Sequence, residues 1–73
     1  MKILCKNADE REKQLKTGTE ILIKEWNKDA KKLEIIVEFQ DGDELFVKRS
    51  GNKIHIVCKE PAHYYRGLTQ IFL

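Results

Sequence analysis

DGDELFVKRSGNKIHIVCKEPAHYYRGLTQIFL, residues 41–73, holds two period-2 patterns joined by a Gly-containing turn, and then a change to helical spacing. In the first pattern Leu45 and Val47 point one way while Glu44, Phe46 and Lys48 point the other. Ser50-Gly51-Asn52 returns the chain, and Ile54, Ile56 and Cys58 form the inner row of the next strand, opposite Lys53, His55, Val57 and Lys59. Pro61 suits the first turn of a helix, where a missing N–H costs nothing. Ala62, Tyr65, Leu68 or Thr69, and Phe72 then recur at helical intervals, which predicts a helix over 61–73. Core packing with a snorkelling arginine accounts for the Tyr64-Tyr65-Arg66 cluster.

Upstream, Leu33, Ile35, Val37 and Phe39 alternate with polar or outward residues, so 33–39 reads as a half-buried strand, and Asp41-Gly42 is a hairpin-turn signal. Strands at 33–39, 44–49 and 53–58 are therefore expected as a meander within a small antiparallel or mixed β-sheet. Ahead of them a helix is expected over about 8–26. Asn7 suits an N-cap, Asp9, Glu10 and Glu12 place negative charge on the first turns, and Leu15, Leu22 and Trp26 form a stripe with Ala8 and with Gly18 or Thr19. Gly18 opposes this at a cost of about 1 kcal/mol relative to Ala. A break at Gly18 with a strand over 20–26 is the competing reading, but Ile21, Leu22 and Ile23 are consecutive and do not alternate. Residues 2–5 can add a short N-terminal strand with Ile3 and Cys5 on one side. The expected architecture is α+β, with both helices on one face of the sheet.

At 73 residues the chain makes one small domain with a modest core, too little scaffold to hold a deep catalytic pocket, and the isolated chain is not expected to be an enzyme. Charged residues are 36% of the sequence but the net charge is only +2, with both signs interleaved, which describes a solvated surface. Cys5 and Cys58 are too few for a disulfide framework or a zinc knuckle, and would meet only if the first and last strands were neighbours. No stretch is long and apolar enough to span a membrane, and the apolar start at residues 1–5 is too short for a signal peptide. A chain finishing on Ile71-Phe72-Leu73, with no polar ending, reads as a fragment of a longer protein.

By parity Ile36, Phe46 and Val57 fall on the outer sheet face, either as scattered apolar groups or as a patch buried against another domain. His55 and Cys58 stand three apart on a strand and must point to opposite faces, so they cannot share a metal ion or act as a base and nucleophile; His63 does not repair this. Asp41, Asp43 and Glu44 lack the closing bidentate glutamate of a calcium loop. No phosphate-cradling glycine motif is present, and no metal or cofactor is expected.

Three short stretches nevertheless resemble a known family: Gly42-Asp43-Glu44-Leu45-Phe46-Val47, then Asn52-Lys53-Ile54-His55-Ile56, then the run from Ala62-His63-Tyr64-Tyr65 through Arg66-Gly67-Leu68-Thr69-Gln70-Ile71. They are similar to the strand, hairpin partner and connecting helix of the non-catalytic N-terminal domain of family 20 glycoside hydrolases, the β-N-acetylhexosaminidases. The likeness covers 41–73 by motif and 8–39 by element order alone. His63 departs from the family's usual glycine, and Thr69-Gln70 from its usual polar residue followed by threonine.

What the resemblance implies is an accessory domain that packs against a catalytic (β/α)8 barrel of the same chain, is inactive alone and meets amino-sugar substrate only through the parent enzyme. Arg66 then becomes a sugar-contact candidate at the mouth of the active site. The Asp-Glu pair these enzymes use belongs to the barrel, so Asp43-Glu44 receives no catalytic role. The interdomain patch would be Ile36, Phe46 and Val57. Nucleic acid and membrane have no place in this reading. The alternatives are a small nucleic-acid-binding α+β module using Lys48, Arg49, Lys53, Lys59 and Tyr64, or a free-standing interaction domain that dimerises through the same apolar patch. A nucleic-acid footprint would require the basic groups to gather on one face.

Overall fold

The computed structural model describes residues 1–7, 9–29 and 31–73. Strand β1 is Lys2–Cys5, a 3-10 turn covers Asp9–Arg11, helix α1 is Glu12–Glu25, strands β2, β3 and β4 are Glu34–Phe39, Phe46–Ser50 and Lys53–Cys58, and helix α2 is Pro61–Phe72. The fold is α+β: one four-stranded mixed sheet with both helices on one face.

The strand order is β1-β2-β4-β3, so the expected meander does not form. β3 and β4 are the antiparallel hairpin, turning at Gly51 with φ +58°, but β2 pairs parallel to β4 on one side and parallel to β1 on the other. The segment 40–45 crosses two strand spacings, about 10 Å, instead of closing a tight turn at Asp41-Gly42. Burial explains the choice. β2 and β4 supply the fully buried Ile35, Val37, Ile54, Ile56 and Cys58, and both take central positions. β3, with Lys48, Arg49 and Ser50 exposed, is left at an edge, where unpaired backbone and charge belong.

Helix α1 begins later than the apolar spacing suggested. Arg11 occupies the N-cap without a side-chain cap, and the expected start at Ala8 lies outside the described residues. Asn7 does not cap the helix. Its side chain pairs with the backbone of Phe39, accepting from N–H and donating to C=O, and so prolongs the β1–β2 ladder by one side chain. Glu12 joins strand to helix by accepting the Cys5 N–H at 2.7 Å. The deeply buried stripe is Leu15, Thr19 and Ile23; Leu22 and Trp26 are only half-buried. Gly18 keeps a glycine because α2 lies close: a Cβ there would stand 2.8 Å from Tyr65 Cζ.

On α2 the buried phase is Tyr64, Gly67 and Leu68; of the expected stripe Leu68 is buried, Tyr65 and Phe72 are half-buried, and Ala62 and Thr69 are exposed. Tyr64 is fully buried, and its hydroxyl meets the Thr19 hydroxyl at 2.6 Å while Thr19 also donates to Leu15 C=O. That pair locks the two helices together and satisfies the polar groups in the core. Burial drives the Tyr64 hydroxyl well above the ordinary tyrosine range, a shift that its bond to Thr19 opposes.

Both cysteines are buried and neither is in a disulfide. β2 lies between their strands, which separates them by about two strand spacings, near 10 Å, beyond bridging distance. The Cys58 thiol is pushed up to about 11, chiefly by burial, with Cys5 adding to the rise and Arg11 opposing it. The folded chain therefore holds this proton more tightly than the unfolded chain does. The associated stability is present below pH 9 and is lost as pH rises toward 11. Urea midpoints are expected to be level from pH 7 to 9 and to fall by pH 10.5, with no response to reductant. A midpoint that drops on adding reductant at pH 7 would contradict this arrangement.

Candidate functional site

The face of the sheet away from the helices is uncovered, and strand register orders its side chains in rows. Lys2, Glu34, Lys53 and Ser50 form one; Leu4, Ile36, His55 and Lys48 the next; Glu38, Val57 and Phe46 a third. Leu4 and Phe46 are 47% and 50% exposed, while Ile36, His55 and Val57 are half-buried. Parallel strands are usually covered on both sides, so an open face spanning three of them is a surface with capacity for a partner. The parity reading of Ile36, Phe46 and Val57 as outward is borne out.

At the β3–β4 turn end of this face lies a hollow of about 240 Å³, lined among others by Lys6, Lys48, Lys53, His55 and Ser50, with Ile36 in its wall. No carboxylate lines it. The acidic groups sit in neighbouring hollows: Glu34 with Lys2 and Leu4, and Asp43 and Glu44 with Phe46 and Val57. The Phe46 ring stands edge-on to the His55 imidazole with centroids 6.1 Å apart, and His55 Nε2 is buried with no hydrogen-bond partner among the described residues.

The basic residues suggested by the sequence are divided by the fold. Lys48 and Lys53 share the hollow. Arg49 turns to the helical side, its guanidinium 5.4 Å over the Phe72 ring and its Nε donating to Gly51 C=O. Lys59 pairs with Asp43 at 3.3 Å on the surface, an exposed contact of little energetic consequence. Tyr64 is in the core, which removes it from any ligand-binding set. Lys6 joins the basic group unannounced. Its signal was the parity of β1, which puts residues 2, 4 and 6 outward, but only the placement of β1 beside β2 brings it near Lys53.

His55 and Cys58 do face opposite sides, the first outward beside Phe46 and the second buried beneath the helices. Among the described residues no group of three or more His, Cys, Asp or Glu side chains is close enough to hold a metal ion, and no helix is long and apolar enough to cross a membrane. Arg66 is exposed on α2, beside Gly67, whose position packs against Val47 and Ile56. Arg66 thus belongs to the helical layer, and the patch of Ile36, Phe46 and Val57 to the opposite side of the sheet; the structure does not bring them together. No protein-family model, no curated protein and no solved structure matches the chain.

Proposed function

We propose that this chain acts as an accessory domain of a carbohydrate-active glycoside hydrolase of the β-N-acetylhexosaminidase kind, docking on a catalytic barrel through its helical layer. One local arrangement supports the reading. Gly67 is pressed against β3 and β4, so α2 lies flat on the sheet while the adjacent Arg66 is held exposed, where a neighbouring domain and its substrate can meet it. The segment carrying the motif resemblance, 41–73, is also one contiguous unit of hairpin and helix. A barrel that meets Arg66 contacts the helical layer and leaves Phe46, across the sheet, uncovered.

The test is an assay of the full polypeptide that contains these residues, beside the 73-residue chain alone, on a chromogenic N-acetylglucosaminide. The full polypeptide should turn over and the chain alone should match the blank. Arg66→Ala in the full polypeptide should raise KM about tenfold with the melting curve unchanged, the expectation for one lost charge-assisted hydrogen bond of about 1.5 kcal/mol. Turnover by the short chain, or an inert full polypeptide, would sink the proposal.

A further inference from the structure

We infer that the uncovered sheet face binds single-stranded nucleic acid, seating backbone phosphates in the Lys6–Lys48–Lys53 hollow and stacking a base on Phe46. The argument is one of charge and shape. Lys6, Lys48, Lys53, Ser50 and His55 line a hollow of about 240 Å³ that has no Asp or Glu among its lining residues, with Glu34 beside Lys53 on the neighbouring strand. An anion entering it meets side chains from β3, β4 and Lys6 just past β1, more of them cationic than anionic. In the adjoining row Phe46 is half exposed and packs its ring T-shaped against His55 one strand away, between the cationic hollow and a second hollow that it shares with Asp43 and Glu44. A cationic groove next to an exposed aromatic is what a sequence-tolerant single strand requires, because every base has a face to stack and every linkage a phosphate to neutralise.

The apolar patch alone would equally suit a second copy of the chain. The grouping of like charge argues against that, since a twofold contact that laid the hollow of one copy near that of the other would oppose lysine to lysine. The face is also small. A sheet four strands wide and about five residues long spans roughly 20 by 17 Å in projection, so a twofold contact confined to it would be a small one. The inference does not depend on the proposed enzyme context, because the helical layer carrying Arg66 lies on the other side of the sheet.

The experiment is fluorescence anisotropy of a labelled 12-nucleotide oligouridylate titrated with the chain between 25 and 200 mM NaCl. Three phosphates neutralised on a single strand give an expected slope of log K against log salt of about −2. Lys48→Gln with Lys53→Gln should reduce the slope to about −0.7. Phe46→Ala should weaken binding about tenfold at every salt concentration and leave the slope unchanged. All three positions are exposed, and circular dichroism of each variant confirms that the fold persists. Absence of binding at 25 mM NaCl overturns the inference, as does a slope that the double lysine variant leaves intact. A concentration-dependent mass in light scattering that Phe46→Ala abolishes, without oligonucleotide binding, assigns the face to self-association instead.

Discussion

Tyr64→Ala should lower the unfolding free energy by about 3–5 kcal/mol, the range for emptying a fully buried aromatic site. Against the roughly 4–11 kcal/mol that a 73-residue domain ordinarily commands, that is about a quarter or more of the total, and urea denaturation followed by circular dichroism will read it directly. The cause is not volume alone. Tyr64 touches the core with its ring and fastens α1 with its hydroxyl, through Thr19 and on to Leu15 C=O. Subtler variants separate the two contributions. Thr19→Val should cost about 1–3 kcal/mol, because the Tyr64 hydroxyl is left buried with nothing to bond. Adding Tyr64→Phe to Thr19→Val removes the stranded group and should recover most of that loss. If the double variant is less stable than Thr19→Val by the full cost of Tyr64→Phe alone, the two hydroxyls do not act as a pair.

Gly67→Val should be the second large effect, at about 2–3 kcal/mol, by overpacking where α2 meets the sheet. A Cβ at this position would already be 3.1 Å from Val47 Cγ2 and 3.5 Å from two Ile56 carbons, and the two further methyls of valine have no space against buried β4. Gly67→Ala divides differently. The single methyl requires Val47 to give by a few tenths of an ångström, while the helix gains about 1 kcal/mol in intrinsic propensity, so the net change should be within about 1 kcal/mol of zero. Thermal melts of both variants test the idea. A harmless valine would mean that α2 can rise from the sheet without loss, and the exposed placement of Arg66 would then have no structural cause.

Much of the fold was legible along the chain. Period 2 located β2 and β4 nearly to the residue, parity separated Ile54, Ile56 and Cys58 from His55 and Val57, and Pro61 marked the first turn of α2. Helix phases are less legible. On α1 the apolar spacing points to Leu22, yet Ile23 is the buried member, because three consecutive apolar residues leave the phase to be chosen by the sheet. On α2 two adjacent tyrosines posed the same ambiguity, and the partner for a hydroxyl resolved it: Thr19 was available to Tyr64 in the core, while Tyr65 lies in the gap that Gly18 leaves.

The candidate nucleic-acid face shows the same division. Lys48, Lys53 and Phe46 can be assigned outward from parity, but Lys6, just past β1 and more than forty residues away in sequence, reaches them only because β1 pairs with β2 and β2 with β4. Arg49, adjacent to Lys48, was lost to the other side of the sheet by the same alternation that keeps Lys48 on it.

Element type, approximate bounds and the inward or outward facing of each strand residue are local properties, governed by backbone period and by which side chains water excludes, and they were contained in the chain read in order. Strand neighbours are a property of the whole molecule. An Asp-Gly turn favours a hairpin by a small local free energy, whereas placing β4 between β2 and β3 buries its entire apolar row, and the larger, non-local term prevails. With both helices on one side of the sheet the other face stays open, and the 1-2-4-3 order is what gathers Lys6, Lys48 and Lys53 on it.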